Sequence, residues 1–256
     1  MKRSALRKIA LPLLAVGVLV GAVAIADAAM VRFGNIVLRA DGGFAPRQLP
    51  KRAFAPIHFQ GYADISSVRG GPPPALERAV LDFDRDGRLF TNGLPICPPS
   101  RIEGLSPLAA RSKCKGAIVG EGRLGAAVAL NGGTARVTSL LTLFNGPRQD
   151  GNATVVLHAQ APPPVSETYV VVVPVERRGG GYAYRATIEV PPIAGGAGVL
   201  THIDAKIGRE YRYRGTTRSY TSARCSDGIL ETHGYFRFAG GIPISGDVFR
   251  ACTAIR

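Results

Sequence analysis

The chain reads as an all-β protein, an antiparallel β-sandwich or a barrel-like fold, stapled by disulfides and carrying a short helical insertion between Cys97 and Cys114. Three observations predict it. Apolar and polar residues alternate in short runs along most of the length. Clusters of Gly, Asn, Asp and Pro separate those runs. The composition, with 32 glycines, 19 prolines and no tryptophan, suits many short strands joined by turns rather than helices.

The first residues carry Lys2, Arg3, Arg7 and Lys8, then the apolar run IALPLLAVGVLVGAVAIA, then small residues in an A-x-A arrangement at Ala24-Ile25-Ala26 or Ala26-Asp27-Ala28. This is the layout of a secretory signal peptide over residues 1–26. The run is also long enough to remain as an uncleaved anchor, since about 18 apolar residues span a bilayer. No cysteine directly follows it, which excludes a lipoprotein anchor. Residues 27–256 are expected to form a single β domain. The alternative is two β subdomains divided near 161–165, where Ala161-Pro162-Pro163-Pro164-Val165 could act as a linker.

Strands are expected at 31–39 and 57–65. In the second, Ile57, Phe59, Ala63 and Ile65 share one face, and His58, Gln60, Tyr62 and Asp64 the other. Residues 79–83 and 88–91 read as a hairpin. The series continues at 117–119, 124–130, 134–144, 153–160, 168–175, 182–190, 199–213, 217–224, 229–238 and 247–252. Asn131-Gly132-Gly133, Asn145-Gly146-Pro147, Asp150-Gly151-Asn152 and Gly179-Gly180-Gly181 mark turns between them. Strands at this spacing argue for a sandwich or barrel.

Four cysteines, Cys97, Cys114, Cys225 and Cys252, follow the export segment. An even count in an exported chain favours disulfides, and the sequence-near pairing Cys97–Cys114 with Cys225–Cys252 is expected. Zinc needs ligands at short spacing, such as C-x-x-C, and none occurs here. Between the first two cysteines, Ser100 and Glu103 have the spacing of a capping box. Ser106-Pro107 reads as an N-cap followed by proline at the first helical position.

Lysine and arginine number 32 against 18 aspartates and glutamates, a formal net charge of +14. Such a balance favours anionic surfaces by long-range attraction. Arg209-Glu210-Tyr211-Arg212-Tyr213-Arg214, followed by Arg218, concentrates it. Arg212, Arg214 and Arg218 are the candidate contacts to an anionic envelope polymer or lipid head groups, and nucleic acid is not expected for an exported chain. Asp82-Phe83-Asp84-Arg85-Asp86-Gly87 matches the start of a calcium loop, so Asp82, Asp84 and Asp86 are candidate ligands. Position twelve of that loop is Gly93, however, where a bidentate glutamate is needed, and a turn at Asp84–Gly87 with Gly87 at positive φ is the simpler expectation. Calcium is the one cofactor considered. His202 and Asp204 share a strand face, as do Glu231 and His233; were the two strands neighbours, these four would form a cluster for acid–base chemistry. No nucleophile elbow, zincin motif, Walker loop or G-x-G-x-x-G phosphate loop is read in the sequence.

Two segments, GLPICPPSRIEGLSPLAARSKCKGAIVGEG at 93–122 and REYRYRGTTRSYTSARCSDGILETHGYFRFAGG at 209–241, resemble a group of exported proteins of high-GC actinobacteria. That group shows G-L-P-x-C…C-x-x-A-x-V-G-x-G and S-Y-x-x-A-x-C-x-D-G patterns. The resemblance implies a secreted β-rich domain with these cysteines and brings no activity or site residues. Together these readings lead to an exported, non-enzymatic binding or structural protein of the cell envelope or the extracellular space. An envelope hydrolase using the His–carboxylate cluster and a calcium-stabilised structural module are the rivals.

Overall fold

A computed structural model describes residues 29–255; the expected export segment lies outside the described residues. In chain order the elements are β1 (Ala29–Phe33), β2 (Ile36–Ala45), β3 (Gln48–Pro50), β4 (Ala55–Pro56), β5 (His58–Ser67), β6 (Leu76–Asp84) and β7 (Gly87–Leu89). The helix α1 (Pro107–Lys113) precedes β8 (Ile118–Leu130), β9 (Gly133–Asn145), β10 (Ala153–Gln160), β11 (Thr168–Arg177), β12 (Tyr182–Glu189) and β13 (Gly198–Ile207). Then come β14 (Glu210–Tyr213), β15 (Thr216–Ser219), β16 (Thr221–Ala223), β17 (Ile229–Phe238), β18 (Ile242–Ala251) and β19 (Thr253–Ile255).

Twelve of these strands form one antiparallel sheet in the order β1-β2-β5-β13-β8-β9-β10-β11-β12-β6-β17-β18. The sheet curls until β1 and β18 lie side by side, so it is nearly a closed barrel. The segment 161–165, weighed as a linker between two subdomains, is a connection within this sheet, where β10 and β11 pair directly from Ala153↔Val175 to Gln160↔Thr168. Beside β1, whose described pairing reaches Ala29↔Ala40, β18 also lies against β2. There the Arg250 guanidinium pairs with Asp41, and Arg47 Nη1 donates to the Ala251 carbonyl at 3.2 Å. These contacts close the seam with side chains rather than a ladder.

The two ends of the barrel differ. At the turn end the chain reverses tightly between β1 and β2, β8 and β9, and β17 and β18. Ile36, Leu38, Ile65, Leu76, Leu200, Phe238 and Ile244 pack together there. At the opposite end the chain makes three long excursions, and these build a cap. Its centre is the three-stranded sheet β4-β16-β7, flanked by the β14–β15 hairpin.

Both disulfides form in the expected pairing, Cys97–Cys114 and Cys225–Cys252. The first bounds a segment laid on the outer wall, where Ile102, Ala110 and Ala117 bury Phe144 of β9 and Val156 of β10. The helix begins as expected: Ser106 accepts from the Ala109 amide at 3.3 Å, with Pro107 in the first turn. The capping box at Ser100 and Glu103 does not form. A 3-10 turn over Pro99–Arg101 starts from Pro98 instead, which places Ser100 inside the turn and gives it no amide to cap. The second disulfide joins the end of the cap to the end of β18 beside Phe44, Leu49 and Ala223.

Two further expectations change. The hairpin of 79–83 with 88–91 does not form, because β7 leaves the barrel to pair with β16 and β6 pairs with β12 and β17. Gly87 accordingly stays out of the positive-φ region. The expected strand 199–213 breaks at Gly208, where a Cβ would lie 2.4 Å from His58 Nδ1; only glycine lets the two backbones pass. Finally, Gly120-Glu121-Gly122-Arg123-Leu124-Gly125 spells G-x-G-x-x-G, yet it runs unbroken inside β8, with no helix after it to face a phosphate. The packing reason lies at Gly122, where a Cβ would meet the Asp204 carbonyl oxygen at 1.9 Å.

Candidate functional site

Strand alternation sends one set of side chains into the barrel. In β5 these are Phe59, Ala63 and Ile65; in β13 they are Ile203, Ala205 and Ile207; in β10 and β11 they include Val155, Leu157, Val173 and Val175. The apolar faces read from the sequence at 57–65 and 203–207 therefore do point inward. β5 and β13 are paired neighbours in one wall, and the inward faces of opposite walls do not meet fully. A cavity of about 350 Å³ runs between them, lined almost wholly by carbon. Its volume falls in the range of about 300–1,000 Å³ typical of pockets that hold small molecules.

Local sequence explains why the space stays open. Two glycine pairs face it, Gly42↔Gly61 in the β2–β5 wall and Gly234↔Gly246 in the β17–β18 wall. Ala40, Ala79 and Ala186 line it too. The Phe59 and Phe236 rings lean over these glycines, and the alanines leave room that larger side chains would fill. The packed residues at the turn end form one floor of the lumen. At the other end Ile57, Leu89, Tyr220, Thr221 and Ser222 of the cap bound it.

Tyr220 is the one fully buried tyrosine of this boundary, at 1% exposure. Its amide donates to the Arg209 carbonyl at 2.8 Å and its carbonyl accepts from Phe90 at 2.9 Å, so the backbone is held on both sides. Its hydroxyl has no hydrogen-bond partner among the described residues. Burial drives its pKa far up, which keeps the phenol protonated. The neighbouring Tyr211 is satisfied by contrast, donating toward the Phe90 and Asn92 carbonyls at 3.1 and 2.9 Å. Burial pushes its pKa up to about 12.

The sequence-derived candidates lie away from the lumen lining, and two of them, Asp82 and Asp86, are buried. The β14–β15 hairpin carries Arg212, Arg214 and Arg218, all exposed. It turns through Arg214 and Gly215, both at positive φ. The three arginines do not share a face. Arg218 lies opposite Tyr211 in the ladder and sits 5.4 Å over the Phe90 ring, whereas Arg212 lies opposite Thr217 on the other face. Arg214 stacks 5.3 Å over Tyr213 at the tip.

The three aspartates of the candidate calcium loop diverge. Asp82 takes a bidentate bond from Arg185, Nε and Nη2 each at 2.7 Å, and this bond holds its carboxyl below the usual carboxylate range. Asp84 accepts from the Asp86 and Glu231 amides, but burial outweighs them and raises it. Burial works to raise Asp86 as well, yet bonds from Ser226 and Arg224, at 2.8 Å each, hold it below its ordinary value. Each carboxylate thus has its own partner, and no group of three metal-ligating side chains occurs among the described residues.

The two strands proposed to unite the histidines are not neighbours. β13 pairs with β5 and β8, while β17 pairs with β6 and β18. His202 sits between Asp64 and Asp204, 2.7 and 3.1 Å away, and their charges outweigh its burial and raise its pKa. His233 lies 2.5 Å from Asp247, and Glu231 accepts from the Tyr182 hydroxyl at 2.7 Å. These are separate sets of polar side chains on the outer wall: the His202 and His233 pairs span adjacent strands or positions two apart on one strand, and the Tyr182–Glu231 bond reaches across β6 from β12 to β17.

The lumen and Tyr220 were not among the sequence candidates. The available signal was weak: glycine and alanine at positions that alternation assigns to the core. No family model, curated protein or solved structure matches this chain.

Proposed function

We propose that this chain is an exported, non-enzymatic binding protein that carries an apolar molecule inside its barrel. The observation that supports it is the lumen: about 350 Å³ lined by aliphatic and aromatic side chains. An apolar chain gains about 0.8 kcal/mol per methylene on leaving water, and few polar side chains border this wall, among them Asp41, Thr232 and Ser245 on the strands and Thr221 and Ser222 at the cap. The two disulfides fit an oxidising compartment, as the expected signal peptide does.

The exposed arginines of the β14–β15 hairpin give the same reading a surface partner. They project at the capped end of the barrel, beside the strands that bound the lumen. Arg212, Arg214 and Arg218 would meet anionic lipid head groups or envelope polymer while an apolar chain moves into the lumen. Electrostatic contact of this kind weakens with salt, because the Debye length falls from about 10 Å at 0.1 M to about 3 Å at 1 M.

One experiment separates the two parts. A fluorescent polyene ester is offered to the protein in vesicles that are neutral or rich in anionic lipid. Transfer is expected to saturate at one probe per chain with either vesicle, and to be several-fold faster from the anionic ones at low salt only. Replacing Arg212, Arg214 and Arg218 by serine should remove the acceleration and leave the final level unchanged. No saturable transfer from any vesicle would overturn the lumen reading. Transfer indifferent to salt and to the three arginines would overturn the surface contact.

A further inference from the structure

The outer wall over β2, β5 and β13 carries a second depression, a polar groove of about 450 Å³. We propose that this groove binds an acidic sugar, a single pyranose ring bearing one carboxylate or phosphate. The proposal does not depend on the lumen, because strand alternation puts the two on opposite faces of the same strands.

The ladders build the groove from two outward rows. Asp41, Tyr62 and Asp204 lie side by side across β2, β5 and β13. Gly43, Gln60 and Lys206 form the next row toward the cap. Between these positions Phe59, Ala63 and Ile203 point the other way, into the lumen. A Cβ at Gly43 would lie 3.8 Å from Arg47 Nη2 and 3.9 Å from Arg250 Nε. The missing side chain thus lets both guanidinium groups lie low over β2, at one end of the row that ends in Lys206. Two strand spacings make that row about 10 Å wide, and the rows are about 7 Å apart along the strands. This is the footprint of one sugar ring with its substituents.

Charge narrows the class. Three cations, Arg47, Lys206 and Arg250, line the groove against two carboxylates, Asp41 and Asp204. Both carboxylates are already compensated. Asp41 pairs with Arg250, and Asp204 lies 3.3 Å from Arg123 Nε and 3.1 Å from His202 Nε2. Arg47 and Lys206 are not paired with a carboxylate among the described residues. Arg47 donates to the Ala251 carbonyl, and Glu121, opposite Lys206 on β8, is bridged to Arg111 at 3.1 Å. The groove therefore keeps two positive charges for one acidic group. The paired carboxylates retain lone pairs for neutral hydroxyls, and Gln60 and the Tyr62 hydroxyl add donors and acceptors beside them. An ammonium ligand would meet no uncompensated carboxylate. A hydrocarbon would desolvate all of these groups and replace none of their hydrogen bonds. A ring of hydroxyls with one acid matches both rows.

The test is an amide NMR titration of the oxidised protein at low salt. The probes are glucuronate, glucose phosphorylated on its terminal hydroxymethyl group, glucose and inorganic phosphate. Both acidic sugars are expected to shift the amides of Gly42, Gly43, Gly61 and Lys206 saturably. They should bind about fivefold more tightly than glucose, the scale of one exposed ion pair, and the difference should shrink as salt is raised. Lys206→Ala and Arg47→Ala, both at exposed positions, should each remove most of that difference and leave glucose unchanged. Gln60→Ala should weaken all three sugars and leave the weak response to inorganic phosphate as it was. Acidic sugars bound no more tightly than glucose, or bound equally by both cation variants and the parent, would overturn the charge argument. Inorganic phosphate bound as tightly as the acidic sugars would overturn the sugar. No saturable shift of these amides with any probe would remove the site and leave the lumen reading intact.

Discussion

Replacing Cys225 and Cys252 together by alanine is expected to lower the melting temperature by about 6–12 °C. The bond closes a loop with a sequence separation of 27 residues, worth about 3 kcal/mol on the chain-entropy scale. For a chain of this size each kcal/mol moves the midpoint by about 2–4 °C. The Cys97 and Cys114 pair, with a separation of 17, is expected to cost a similar amount. Losing both would remove about 6 kcal/mol from a total that is commonly about 5–15 kcal/mol, so the reduced protein should be close to unfolding at physiological temperature. The two losses should differ in place. Without Cys97–Cys114 the outer cover over Phe144 and Val156 loosens, and amide exchange should rise in β9 and β10. Without Cys225–Cys252 the cap and the end of β18 come apart, and exchange should rise beside the Asp41–Arg250 seam. Scanning calorimetry and hydrogen exchange check both. A change below about 1 °C for either pair would show that the bond does not constrain the chain as its loop length implies.

Filling the lumen should abolish binding while sparing the fold. Ala186 in β12 points inward between Val175 and Leu81, its ladder neighbours. Phenylalanine there would take the place of about four chain carbons, each worth about 0.8 kcal/mol, so affinity for an apolar chain should fall about 200-fold. In a tightly packed core the same substitution costs about 1–3 kcal/mol through overpacking. Here it enters open space, and cavity filling commonly adds stability. Ala186→Phe should therefore melt no lower than the parent. Ala79→Phe, on β6, gives an independent version of the same test. Strong destabilisation by both would mean that the inward side chains already meet and that the space is closed in solution.

Much of the fold was legible because strand alternation and turn residues are local. The inward face of β5 is written in Ile57, Phe59, Ala63 and Ile65, and the N-cap of α1 in Ser106-Pro107. The cysteine pairing followed from spacing and compartment. What alternation does not encode is which apolar face meets which. The same pattern builds a sandwich, with two faces packed about 10 Å apart, or a barrel with space within. That choice depends on strand order and closure. β13, for example, inserts between β5 and β8 across more than a hundred residues of chain. The lumen was therefore not visible in advance.

The same limit hid the partners of the charged side chains. Asp82, Asp84 and Asp86 lie close together in sequence, but Arg185, Glu231 and Arg224, which supply their partner groups, arrive from β12, β17 and the segment after β16. His202 and His233 share a polar pattern and lie on strands that never pair. Tyr220 looked like one residue of a strand at 217–224. Only the break between β15 and β16 turns it into the barrel, away from the exposed arginines that precede it.

The most direct measurement is a calorimetric titration of the oxidised protein with straight-chain alcohols of increasing length. The lumen should take one molecule per chain. Affinity should rise about fourfold per added methylene, corresponding to about 0.8 kcal/mol, until the space is full. The heat capacity of binding should be negative, the mark of apolar surface leaving water. Affinity independent of chain length, or a heat capacity change near zero, would contradict an apolar chain held inside the barrel.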